Sequence, residues 1–109
     1  MTWADAIKGF EYYLTLEKSL SRNSIDAYLA DVSKLCSFAG GIESNLAPEE
    51  VSTELIREML RFLKEAGLTE RSQARIVSGI KAFYRYLLLE GVIKEDPSGR
   101  IEAPKIGRK

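Results

Sequence analysis

Apolar residues in this chain recur at steps of three and four and nowhere alternate, so the sequence can pack as helices and offers no strand to a sheet. Trp3, Ile7, Phe10 and Leu14 form one stripe, on a helix expected over about residues 2 to 18. Ile25, Tyr28, Leu29, Val32, Leu35 and Cys36 form a second. That helix opens with Leu20 as a hydrophobic residue ahead of the cap and Ser21 as the cap itself, and Gly40 and Gly41 are expected to stop it near Ala39. A third helix carries Ile56, Met59, Leu60 and Leu63, capped by Ser52 or Thr53 and stopped at Gly67. A fourth carries Ile76, Val77, Ile80, Tyr84, Leu87 and Leu88 between a Thr69 cap and Gly91. Between the second and third, "IESNLAPEEV" reads as an irregular connection anchored by Leu46 and Val51. Near the end, Asp96 and Pro97 suit a short turn. The fold class is all-α, with four principal helices around one core.

A chain of 109 residues buries roughly two thirds of its extended surface, enough for a modest core without staples. Cys36 is the lone cysteine and histidine is absent, which removes an internal disulfide and the usual metal-ligand spacings. No cofactor is expected, and a reducing, cytoplasmic setting fits. No apolar run approaches the roughly 18 residues of a membrane span. The opening "MTWADAIKGF" carries acid where a secretory leader carries base.

Sixteen basic and sixteen acidic side chains cancel, but they are sorted along the chain. Residues 43 to 66 hold six acids against three bases, residues 70 to 90 four bases against two acids, and residues 94 to 109 five bases against three. On the fourth helix, Arg71, Arg75, Ser78, Lys81 or Ala82, and Arg85 fall along one side with no Asp or Glu between Arg71 and Leu89. An amphipathic helix needs a polar face, yet not a cationic one. Such a row suits the phosphates of a duplex, and arginine's forked donors suit a phosphate or a guanine edge. Ser72, Ala74, Ser78 and Gly79 keep its flank small, and Gly79 serves close helix packing equally well. Arg22, Asn23 and Ser24 occupy the first turn of the second helix, where backbone N–H groups are free. The helix starts at Ser21 and Thr69 would offer donors to one DNA backbone if the bundle brings them together.

Through these helices the chain resembles the N-terminal core-binding domain of tyrosine recombinases and phage-type integrases, above all their Xer-like branch. The resemblance lies in "FEYYLTLEKSLSRNSIDAYLADVSKLCSF" and "GLTERSQARIVSGIKAFYRYLLLEGVIKEDPSGRIEAPKIGRK". It implies a four-to-five-helix SAM-like domain over residues 1 to 101, with residues 102 to 109 starting a linker to a catalytic domain beyond Lys109. It implies a double-stranded DNA half-site as partner, together with the chain's own catalytic domain and neighbouring recombinase subunits. Asn23 and Ser24 match the family's Asn-Thr pair; Ser72 and Arg75, with Gln73 between them, match its "SQAR"-like start of the DNA-facing helix. Lys81 matches a frequently basic position, and Lys105 and Arg108 fall where the family chain crosses toward catalysis. Gly79 stands where the family more often has alanine. The family's catalytic arginines, histidine and tyrosine belong to the other domain, so this segment is expected to bind DNA and not to cut it. Its five tyrosines are explained by packing: Tyr28 and Tyr84 on buried stripes, Tyr12, Tyr13 and Tyr86 beside them.

Two other readings compete. A helical protein-interaction module would use an exposed apolar groove in place of the arginine face. A stand-alone DNA-binding regulator would use that face without a catalytic partner.

Overall fold

The computed structural model describes residues 1–42 and 46–103, and the side chains of 1–40 and 46–103 within them. Four helices follow one another: α1 (Trp3–Tyr12), α2 (Arg22–Ile42), α3 (Thr53–Glu65) and α4 (Glu70–Leu89), with a short 3-10 turn at Pro48–Glu50. Among the described residues there is no strand.

Each expected cap is made. Ser21 Oγ accepts the Ser24 N–H at 3.2 Å, Ser52 Oγ the Leu55 N–H at 3.1 Å, and Thr69 Oγ1 the Ser72 N–H at 3.2 Å. Thr53, the other candidate for α3, instead donates its hydroxyl to the Pro97 carbonyl at 2.6 Å. Three expectations need correction. The first helix widens after Tyr12 into a π-type turn, Tyr13–Glu17, closed by Lys18 N–H to Tyr13 O at 3.2 Å, and Ser19 then turns the chain at φ 54°. The second helix runs through Gly40 and Gly41 to Ile42. A glycine costs only about 1 kcal/mol of helix propensity, and the turn before it is held by buried Ala39 and by Phe38 against Phe62, ring centroids 5.7 Å apart. Leu88, assigned to the buried stripe, is 41% exposed.

The core is aromatic at its centre. Phe10 of α1 packs edge-on to Phe83 of α4, centroids 5.4 Å apart, and also meets Tyr28 and Tyr86. Ile25, Val32, Leu35, Ile56, Met59, Ile76, Ile80 and Leu87 complete it. The most extensive helix pairing is α2 with α4, and Gly9 of α1 leaves room for the Tyr86 hydroxyl, which a Cβ there would strike. Tyr84 is wholly buried and donates to the Pro48 carbonyl at 2.8 Å, tying the α2–α3 connection to α4. Cys36 is half-buried, and burial pushes its thiol up.

Candidate nucleic-acid interface

Helix α4 buries Ile76, Val77, Ile80, Phe83, Tyr84 and Leu87 and turns Arg71, Arg75, Ser78, Arg85 and Leu89 to solvent. The exposed residues follow the four-three-four-three step of one helix face, with half-buried Ala82 completing it. Arg71 and Arg85 are fourteen residues apart, about 21 Å along the axis at the helical rise. Acids stand only at the helix limits, Glu70 and Glu90. The result is a cationic strip with a smooth middle.

The other α4 residues of the expected site are differently employed. Lys81 is half-buried and donates Nζ to the Ser98 carbonyl at 2.7 Å. Gln73 is buried and donates Nε2 to the Leu60 carbonyl at 2.8 Å, joining α4 to α3. Ser72 is half-buried at the first turn, its hydroxyl 3.2 Å from that of Thr69. Arg75 reaches back to α2, where its Nη1 lies 3.1 Å from both carboxylate oxygens of Asp31.

At the start of α2, Arg22, Asn23 and Ser24 are exposed. Arg22 is held by two acids: Nε and Nη2 donate to Asp26 Oδ1 at 3.0 and 2.7 Å, and Nη2 donates to Glu11 Oε2 at 3.0 Å. These bonds raise the guanidinium's pKa, Asp26 more than Glu11. The polar contacts of this turn therefore run to α1, whereas those around Thr69 run to α3 through Gln73 and Leu68. The contacts along the two helices also run in opposed order. Asp31 meets Arg75, while Tyr28, a turn earlier on α2, shares Phe10 with Phe83 and Tyr86 farther along α4. Lys105 and Arg108 lie outside the described residues.

Two residues that the sequence reading did not single out belong here. Asp31 is wholly buried between α2 and α4; burial raises its pKa, opposed by Arg75 and by Lys34, exposed one turn on. A signal for Asp31 was present: an acid three residues from Tyr28 and four from Leu35 sits inside the apolar stripe. The tyrosines divide by depth. Burial pushes the Tyr84 hydroxyl far above its ordinary range and raises that of Tyr86, Tyr13 packs against Tyr86 at a tilt with ring centroids 5.2 Å apart, and Tyr12 is exposed. Among the described residues no three Cys, Asp or Glu side chains gather as a metal site, and no helix is long and apolar enough to cross a membrane.

Residues 7–91 match the model of the phage integrase N-terminal SAM-like domain. The chain belongs to that family. The SAM-like domain is 34% identical over 106 residues to the tyrosine recombinase XerD of Chlorobaculum tepidum, covering 97% of this chain and 34% of the relative. It is 36% identical over 95 residues to XerD of Pseudomonas aeruginosa, 87% of this chain and 31% of the relative. To the tyrosine recombinase XerC of Roseiflexus sp. (strain RS-1) it is 30% identical over 104 residues, 95% and 33%. This SAM-like domain thus spans about a third of the length of the curated relatives it matches. No solved structure matches it.

Proposed function

We propose that this chain binds one side of a duplex DNA half-site as the N-terminal domain of a cytoplasmic site-specific tyrosine recombinase, with strand cleavage performed by a catalytic domain outside these residues. The observation that carries the reading is the α4 strip: Arg71, Arg75 and Arg85 exposed on one face, with no Asp or Glu of that helix between them. Phosphate contacts of this kind position a protein on DNA, and Ser78 and Ala82 let the backbone of the helix approach the duplex. Neighbouring recombinase subunits and the catalytic domain are the implied protein partners.

Titrating a labelled duplex at several salt concentrations tests this. Neutralising roughly four phosphates gives a slope of log affinity against log salt of about −4, and no association at low salt would sink the proposal. A nicked suicide duplex incubated with the chain should yield a shifted band but no covalent adduct. An adduct mapped to any tyrosine would overturn the division of labour.

A protein-interaction role has its own support in an apolar groove of about 690 Å³ between α2 and α3, lined by Ala30, Phe38, Met59, exposed Phe62 and Leu63. Phe62→Ser separates the two surfaces: on the DNA reading it leaves duplex affinity unchanged.

A further inference from the structure

Among the described residues Asp31 is the only acid inside the fold, on the face of α2 that packs against α4. Gly79 makes room for it: a Cβ at that position would stand 2.6 Å from Asp31 Oδ2 and 2.9 Å from its Cβ. The Arg75 Nη1 is 3.1 Å from both oxygens, yet only Oδ2 receives it with hydrogen-bond geometry, and Oδ1 has no hydrogen-bond partner. As a device for stability this is poor. A carboxylate taken out of water recovers little from one guanidinium nitrogen, and apolar replacements of such pairs commonly fold as well or better. Burial accordingly raises the Asp31 pKa, against the opposing pull of Arg75 and Lys34. Arg75 is situated quite differently. Half of its side chain is in solvent, and its Nε and Nη2 make no hydrogen bond among the described residues.

We infer that Asp31 is a positioning residue for DNA recognition: it pins the inner edge of the Arg75 guanidinium in the α2–α4 seam so that the outer edge stands as a fixed fork for a backbone phosphate. The inference rests on the duplex-binding reading above. Asp31 itself touches no DNA. If Arg75 swung away to follow a phosphate, it would strand an anion in the core, so the phosphate is met where the guanidinium already stands. Two parallel N–H donors match two phosphate oxygens, and the rotamer freedom that a loose arginine loses on binding is here already lost on folding. Gly79 serves the same arrangement by leaving the anchor its space.

The test is a double-mutant cycle on the whole chain, read by titration of a fluorescein-labelled duplex at low salt, with melting curves alongside. Asp31→Asn should weaken binding about tenfold, the scale of a charged hydrogen bond, even though it makes the protein more positive. In an Arg75→Gln background the same change should do nothing further. Glu58→Gln, at an exposed acid of α3, should leave binding unchanged or tighten it. Arg75→Lys keeps both the charge and Asp31 but lacks the fork, and should also lose about tenfold; it decides the matter alone if Asp31→Asn does not fold. Wild-type affinity in Asp31→Asn or in Arg75→Lys would overturn the inference, as would a loss in Asp31→Asn that persists undiminished beside Arg75→Gln. Wild-type protein that binds no duplex overturns the function reading together with this one, whereas salt-dependent wild-type binding without the expected pattern overturns this one alone.

Discussion

Two arginines of the candidate interface are each held by carboxylates, and they are not held alike. Arg22 sits in solvent between Glu11 and Asp26, with every partner substantially exposed. Arg75 is anchored on Asp31, which water does not reach. Two exposed acids around one base leave the Arg22 turn locally negative, and salt or a phosphate can replace either contact at little cost. A buried anion has no substitute for its cation, so Arg75 is kept in its place. The burial of the partner, more than the distance of the pair, decides whether a surface guanidinium is free or fixed.

The comparison breaks most visibly at Arg75→Ala. Stranding Asp31 should cost about 2 kcal/mol in urea unfolding at neutral pH, below the full penalty of a buried pair because Arg75 is half in solvent. The pH dependence has a definite sign. Asp31 has a raised pKa in the folded state, so between the ordinary carboxylate range and that raised value the native protein holds more protons than the unfolded chain, and stability falls as pH climbs through the window. Removing Arg75 widens the window upward. The variant's deficit should therefore shrink on acidification, and a deficit that does not change with pH would show that Asp31 is not its source.

Gly79→Ala comes next. The gain in helix propensity opposes a collision with Asp31, for a net loss of about 1 kcal/mol that Asp31→Ala in the same chain should relieve. Glu11→Gln with Asp26→Asn sharpens the other side of the comparison: it releases Arg22 to the duplex and should steepen the salt slope by about 1. The smallest effect belongs to Arg22→Ala, whose melting temperature in half-molar salt should match that of the wild type. A clear shift there would mean that the exposed pair holds its arginine as firmly as the buried one.

The helices were legible because their stripes and caps are local: Ser21, Ser52 and Thr69 announce their helix starts, and Ile76, Val77 and Ile80 announce a face. What tertiary packing decides was not legible. Gly40 and Gly41 read as a stop, yet α2 continues past them where the Phe38–Phe62 contact supports its preceding turn. Leu88 has the spacing of a buried residue but is exposed, although its neighbour Leu87 is wholly buried. The cationic strip was visible as Arg71, Arg75, Ser78 and Arg85. That Lys81 and Gln73 face inward to carbonyls depends on where Ser98 and Leu60 come to rest, a matter of long-range geometry. Asp31 falls within the apolar stripe of its helix, but its pairing with Arg75, forty-four residues away, is not visible in local spacing.

The turn at Asp96–Gly99 carries a mechanical consequence. Asp96 Oδ1 accepts the Ser98 N–H and hydroxyl, Lys81 of α4 grips the Ser98 carbonyl, Thr53 of α3 grips that of Pro97, and Ile101 is buried just beyond. A load applied to the chain past Ile101 is thus transmitted through this turn to two helices at once instead of being absorbed by slack. Through Lys81, the helix that bears the arginine strip is joined directly to this turn. A displacement of the turn would therefore be felt by the strip, and a displacement of the strip by the turn.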